Sequence, residues 1–127
     1  MSYVAYHPNT PLSKVNAIYQ DPSLEANMHL VVTRLLLYEH RKQSVVRAGD
    51  AKKSLENVNS WNNRLHMSLA RGERHHDVAI WLTRSDIGGP SGYAPVAGAC
   101  DPKRSCALNR DEGLTSAFII AHEMAHM

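Results

Sequence analysis

The strongest constraint on this chain lies in residues 114–127, an apolar run that ends in the pattern H-E-x-x-H. Residues four apart share one face of an α-helix, so His122 and His126 can both present imidazole nitrogens to a single metal ion. Glu123 is rotated by about 100° from His122 around the helix and would lie beside that ion. The spacing therefore provides two neutral nitrogen ligands and a carboxylate that can take a proton from water.

A chance origin of this pattern is the alternative, because the chain has eight histidines among 127 residues. The residues that precede the pattern, 117–121, are all apolar, which argues against chance. A helix this apolar is buried, and a buried His-Glu-His group needs polar partners or a metal ion. We therefore interpret the pattern as a zinc site.

Composition narrows the class of protein. A chain of 127 residues that is 43% hydrophobic and 20% charged suits one globular domain with a core. Its net charge is only +2 and its basic residues are scattered, so we expect no nucleic-acid partner. No apolar stretch reaches the roughly 18 residues that a membrane span needs. Residues 1–8 lack a basic region followed by an apolar core, so we expect no signal peptide in this chain.

Hydrophobic periodicity predicts the main elements. Apolar residues at helical spacing predict helices over residues 12–19 and 51–69. Residues 28–38 and 75–83 are rich in β-branched and apolar residues and predict two strands buried on both faces, although a helix competes at 35–37. A strand–helix–strand order predicts that these two strands are parallel.

The remaining segments are shorter. Residues 93–96 predict a strand that must lie at a sheet edge, because Pro95 cannot donate to a ladder. Residues 106–109 predict another short strand. The adjacent His75 and His76 invite a metal interpretation, but neighbouring residues of a strand point to opposite faces, so we expect that they do not share an ion.

Five blocks in the second half occur in an informative order, and they are residues 77–84, 92–96, 100–106, 113–118 and 121–126. Together they resemble the catalytic domain of the ADAMTS family, secreted zinc metalloendopeptidases of the metzincin group and the adamalysin (reprolysin) type. The resemblance covers about residues 14–126. Two stretches, Ser54–Val58 and Tyr93–Val96, look most similar to the procollagen N-propeptidase branch.

This resemblance implies an α/β fold, namely an incomplete upper subdomain of a metzincin. We expect a mixed sheet with packing helices and a C-terminal active-site helix. Residues 1–127 would form one partial metalloprotease catalytic domain, in which residues 1–11 are a loose lead-in. The family implies a secreted or extracellular-matrix location.

The resemblance also assigns roles to single residues. It implies that His122 and His126 ligate Zn²⁺ and that Glu123 is the general base. It implies that Tyr93, Ala94, Pro95 and Val96 belong to the edge strand along which substrate lies, and that Asp77 ligates a structural Ca²⁺. A plain edge strand and an aspartate in a turn are the alternatives for these last two assignments.

The chain departs from the family pattern at several points. In the family the zinc motif continues to a glycine, a third histidine and a methionine-containing turn, and a further strand precedes the helix at Leu12. Asn59 stands where the family has a cysteine expected to bond with the counterpart of Cys106, and the usual partner of Cys100 would follow residue 127. We therefore expect Cys100 and Cys106 to be free thiols, unless a local bond forms with Cα atoms within about 7 Å.

The function implied is that of a zinc-dependent metalloendopeptidase domain. Its substrates would be extracellular proteins, with procollagen as one candidate. We expect residues 1–127 to be inactive alone, because only two of three zinc ligands are evident. One alternative is a non-catalytic metzincin-like fragment that binds a partner through Tyr93–Val96. Another is a zincin with a glutamate as third ligand, against which the 100–106 block argues.

Overall fold

The computed structural model describes residues 10–38 and 45–127. Within them, three α-helices surround a three-stranded mixed sheet, which confirms the predicted α/β class. The elements are α1 (Pro11–Tyr19), α2 (Ala51–Ser68), β1 (Ala79–Thr83), β2 (Gly92–Tyr93), β3 (Cys106–Arg110) and α3 (Ser116–His126), with 3₁₀ turns at Pro22–Leu24 and Gly113–Thr115. No helix among the described residues combines the length and the apolar character that crossing a membrane requires.

Local sequence signals explain where the two earlier helices begin. The Thr10 side chain accepts a hydrogen bond from the Ser13 backbone N–H, and Pro11 occupies the first helical position of α1. The Asp50 carboxylate accepts from the Lys53 backbone N–H in the same way and caps α2. Both predicted helices are confirmed, with boundaries that differ by one residue.

The sheet lies between two helical layers. The strand order is β1–β3–β2, with β1 parallel and β2 antiparallel to β3. Alternate residues of the strands face opposite ways, as a pleated sheet requires. Trp81 and Leu108 pack with Val58 of α2, whereas Ile80 packs against the cluster formed by Val15, Ala117, Ile120 and Ala121 of α1 and α3. The central strand β3 is therefore covered on both faces.

The strand predicted over residues 28–38 is wrong, since residues 25–38 contain neither helix nor strand. A strand exists only through backbone pairing with a neighbour, and the described contacts of this segment involve side chains instead. The Leu30 N–H donates to the Asn16 side chain at 2.8 Å, and the Tyr38 ring stacks on Trp81 with centroids 5.4 Å apart. Val31 is 80% exposed. The parallel pair is therefore β1 with β3, and the predicted strand–helix–strand unit is not present among the described residues.

Candidate active site

The junction between β3 and α3 fixes the start of the last helix. The Asp111 carboxylate accepts hydrogen bonds from the Gly113 backbone N–H at 3.1 Å and from the Ser116 hydroxyl at 3.3 Å. The bond from the Gly113 backbone, aided by bonds from Arg84 and Ser116, holds the pKa of Asp111 below its usual range. This turn directs α3 back beneath the sheet.

One stripe of α3 is buried and determines which side chains remain outside. Ala117, Ile120 and Ala121 pack against Val15 of α1. The Tyr19 hydroxyl donates to the backbone carbonyl of Ala121 at 2.7 Å. With this stripe turned inward, the histidines of the motif lie on the exposed side of the helix.

The structure brings His122 and His126 together. Their Nε2 atoms are 3.0 Å apart, and their rings meet edge to face with centroids separated by 4.6 Å. Two nitrogens that each lie about 2.0–2.1 Å from one zinc ion can have this separation. The pair therefore suits two ligand positions of one ion.

Glu123 differs from its histidine neighbours because it is buried. Its side chain lies against Gly92 of β2, where a methyl group has no room: a Cβ on Gly92 would come within 2.7 Å of the Glu123 Cγ and 2.8 Å of Oε1. Burial raises the pKa of Glu123, whereas the neighbouring His122 and His126 act to lower it. The carboxyl is thus held in place with an increased proton affinity.

A shallow cleft of about 360 Å³ opens beside this carboxyl. It is lined by Pro90, Ser91, Gly92, Phe118, Ile119, His122 and Glu123. Phe118 is 70% exposed at its wall. The cleft places an apolar surface next to the carboxylate and one histidine, an arrangement suited to an extended chain with apolar side groups.

The last carbonyls of α3 have partners that the sequence did not indicate. The Ala97 N–H donates to the His126 carbonyl at 2.8 Å, and the Ala99 N–H donates to the Met127 carbonyl at 3.1 Å. Carbonyls at a helix end have no partner within the helix. The loop therefore supports the turn that carries His126, and no local pattern in residues 97–99 predicts this contact.

The predicted edge strand is shorter than expected. Only Tyr93 of the predicted residues lies in β2, where it pairs antiparallel with Leu108 at the edge of the sheet. Ala94, Pro95 and Val96 leave the sheet, in keeping with the missing N–H of proline. Val96 is 67% exposed.

The remaining predicted site residues stand apart. Asp77 is exposed in the loop before β1. Among the described residues, no three His, Cys, Asp or Glu side chains converge in a way that would hold a metal ion. The α3 pair thus fits two of the three ligand positions of a catalytic zinc site, and the assignment of Asp77 to calcium stays a prediction.

Asn59 has a structural role that spacing did not reveal. Its amide nitrogen donates to the Cys106 carbonyl at 2.9 Å, and its amide oxygen accepts from the Cys106 N–H at 3.0 Å. Both cysteines of the chain are free thiols in the structure, with Cys100 exposed and Cys106 buried. Burial raises the pKa of the Cys106 thiol to about 12. The two hydrogen bonds between the Asn59 side chain and the Cys106 backbone therefore join α2 to β3.

Comparisons with known proteins all indicate the same class of protein, the metallopeptidases. The sequence matches the metallo-peptidase family M12B, reprolysin-like, over residues 6–127. It is 56% identical over 113 residues to "A disintegrin and metalloproteinase with thrombospondin motifs 1" of Bombyx mori, covering 89% of this chain and 11% of that protein. It is 43% identical over 121 residues to "A disintegrin and metalloproteinase with thrombospondin motifs 3" of Homo sapiens, covering 93% of this chain and 10% of that protein. The chain thus spans about a tenth of the length of these relatives.

Proposed function

Because the chain belongs to the reprolysin-like M12B metallopeptidase family, we propose that the exposed face of α3 is the centre of a zinc-dependent endopeptidase domain. The observation that carries this proposal is the arrangement of three side chains. His122 and His126 bring their Nε2 atoms to 3.0 Å, and the carboxyl of Glu123 is held between Gly92 and the cleft. The proposed reaction is hydrolysis of a peptide bond in an extracellular protein.

Each of these residues has its own role in the proposed reaction. His122 and His126 would hold zinc, which when bound acts as a Lewis acid toward the scissile carbonyl. Glu123 accepts a proton from the attacking water and returns it to the leaving amine. Burial raises the pKa of Glu123, which increases the affinity of this carboxylate for the proton it accepts.

The position of β2 supports a mode of substrate binding. β2 is an edge strand whose one side pairs with β3, so its other side can pair with an extended peptide. Tyr93 would contribute backbone groups to that pairing. Ala94, Pro95 and Val96 would then contact the substrate from outside the sheet.

The substrate class and location are finer proposals. The likeness of Ser54–Val58 and Tyr93–Val96 to the procollagen N-propeptidase branch supports procollagen as a candidate substrate. It also supports a secreted or extracellular-matrix location. Asp77 is proposed as a ligand of a structural Ca²⁺, which would engage its exposed carboxylate at the entrance to β1.

We expect residues 1–127 by themselves to be poor catalysts. A catalytic zinc site uses three protein ligands and a water molecule. The described residues bring together two histidines, and the third ligand must come from another segment. A domain with only two zinc ligands can still bind a peptide along the edge of β2. This is the alternative function, that of a non-catalytic binding module.

The test compares residues 1–127 with a version extended through a third histidine and a methionine-containing turn. Each is loaded with zinc and assayed on a generic metalloprotease peptide, with a chelator and Glu123→Ala as controls. We expect chelator-sensitive turnover by the extended form alone. Equal turnover by the short form, abolished by Glu123→Ala, would contradict the two-ligand argument. Lack of turnover by the extended form, with the peptide still bound, would favour the binding module.

A further inference from the structure

Asn109 is a polar residue in an apolar environment. It lies in β3, the central strand of the sheet, and it is fully buried. Neither its amide oxygen nor its amide nitrogen has a hydrogen-bond partner among the described residues. A buried amide without partners costs free energy, so an apolar residue of similar size should be at least as stable here. Residues that depart from such a rule are expected near functional sites.

The strand register shows which face of the sheet Asn109 occupies. Asn109 is paired with Gly92 of β2, and residues paired across two strands point to the same face. At Gly92 that direction leads to α3, because a Cβ there would lie 2.7 Å from the Glu123 Cγ and 2.8 Å from its Oε1. The neighbouring Leu108 points the other way and packs with Val58 of α2. The Asn109 side chain therefore faces α3, on the same side of the sheet as Glu123.

The pairing also brings the two side chains close together. The Arg110 N–H donates to the Ser91 carbonyl at 2.7 Å. The next pair, Gly92 with Asn109, is therefore one whose backbones do not bond to each other, and its Cβ positions are about 4.5 Å apart. At Gly92 the Glu123 side chain occupies the space that a Cβ would need. Asn109 and Glu123 are thus neighbours where the sheet meets α3, although neither amide atom bonds to the carboxyl directly.

We propose that Asn109 is a positioning residue for Glu123, and that a buried water molecule joins its amide to the Glu123 carboxyl. Water molecules that bridge buried polar groups are a regular part of protein interiors. The amide nitrogen donates to this water, and the water donates to the carboxylate. The bridge holds the carboxyl beside Gly92, next to the cleft that His122 also lines. The catalytic part of this inference rests on the proposed function, whereas the placement of the carboxyl does not.

The direct test is a crystal structure of the 127-residue chain at a resolution that shows ordered water. We expect a water molecule about 2.7–3.2 Å from both the Asn109 amide and the Glu123 carboxyl. In Asn109→Leu this water should be gone, and the carboxyl should turn away from its place beside Gly92. The matched control is Asn63→Leu on α2, which leaves the α3 side of the sheet unchanged. No water between the two groups, or a carboxyl that keeps its place in Asn109→Leu, would overturn the proposal.

A second readout is kinetic and uses the zinc-loaded form extended through a third histidine. Asn109→Leu should lower kcat about ten- to a hundredfold, with KM and the thermal midpoint of unfolding nearly unchanged. In a Glu123→Gln background the same substitution should lower kcat no further, because Asn109 acts through Glu123. A loss of stability with kcat unchanged would show a structural role and overturn the proposal. If no variant turned over peptide, the proposed function would fail, while the crystal structures would still decide how Glu123 is held.

Discussion

The seam between α2 and β3 and the exposed face of α3 use polar side chains in opposite ways. In the seam, Asn59 pairs with both backbone groups of Cys106, and all of these groups are buried. On the face of α3, His122 and His126 are exposed and contact each other. Buried polar groups that form hydrogen bonds within the protein stabilise the fold. Exposed polar side chains that contact only each other are available to bind a ligand. We therefore expect substitutions in the seam to change stability and substitutions on the α3 face to change activity.

The largest expected effect tests the chemistry of the α3 face. Glu123→Gln keeps the size of the side chain but removes the proton acceptor. In a zinc-loaded form that turns over peptide, kcat should fall by about 10²–10⁴-fold, the usual contribution of a general base. The thermal midpoint of unfolding should hardly change. A large loss of stability would show that the buried carboxyl stabilises the fold. It would contradict the division between residues that determine stability and residues that determine activity.

The next effect tests the seam. Asn59→Leu leaves the buried N–H and C=O of Cys106 without partners, which should cost about 2–4 kcal/mol of the free energy of unfolding. The matched control is Asn109→Leu in β3, because both amide atoms of Asn109 are buried and have no partner among the described residues. Replacing such a group should be nearly neutral or stabilising. Urea titrations of both variants measure the difference, and equal losses would contradict the role given to Asn59.

The helices could be predicted because their signals are local. Thr10 and Asp50 cap the helices that follow them, and the H-E-x-x-H spacing by itself places His122 and His126 on one face of a helix. The strand predicted over residues 28–38 is wrong because a strand depends on a partner elsewhere, which composition does not supply. The strand predicted from residue 75 begins at Ala79, since the preceding residues belong to a loop.

Contacts between distant residues could not be predicted. Asn59 and Cys106 are 47 positions apart, and no pattern near either one indicates their paired hydrogen bonds. The likeness to the family indicated that Asn59 was unusual, but it did not indicate what the side chain does. The approach of His66 to His75 depends on where α2 ends and how the next loop turns. The closeness of two histidines on one helix is therefore predictable from sequence, whereas a contact between two elements is not.

Gly92 lies where the sheet meets the α3 face, and it links the two regions. A Cβ at this position would lie within 2.8 Å of Glu123 Oε1 and of the Ile119 Cγ2. Gly92→Ala should therefore cost about 1–3 kcal/mol of stability through overpacking, or displace Glu123. Denaturant titration and kcat together distinguish these outcomes. The control is Ser91→Ala, next to Gly92 at the cleft, which adds no atom and removes only the exposed hydrogen bond from the Ser91 hydroxyl to Glu112 at 2.6 Å. No change in either quantity for Gly92→Ala would contradict the close contact.

The smallest effect concerns the junction that starts α3. The pKa of Asp111 is lowered in the folded chain, chiefly by the Gly113 N–H, so its ionised form favours folding. This contribution is present above the pKa of the unfolded state, about 3.9, and is lost as the pH falls through the folded pKa. Asp111 is partly exposed, so we expect less than about 1 kcal/mol.

Asp111→Asn should therefore lose less stability between pH 5 and pH 3, about the range in which aspartates titrate, than the unchanged chain does. Thermal unfolding at several pH values measures this slope. Arg84→Gln is the matched control: Arg84 is 90% exposed and its ion pair with Asp111 should contribute little, so its removal should keep most of the slope. If Arg84→Gln removed the slope as fully as Asp111→Asn, the ion pair rather than the backbone bond would be responsible. The start of α3 would then depend on a surface charge, and the region that carries His122 and His126 would be sensitive to salt in a way that the buried seam is not.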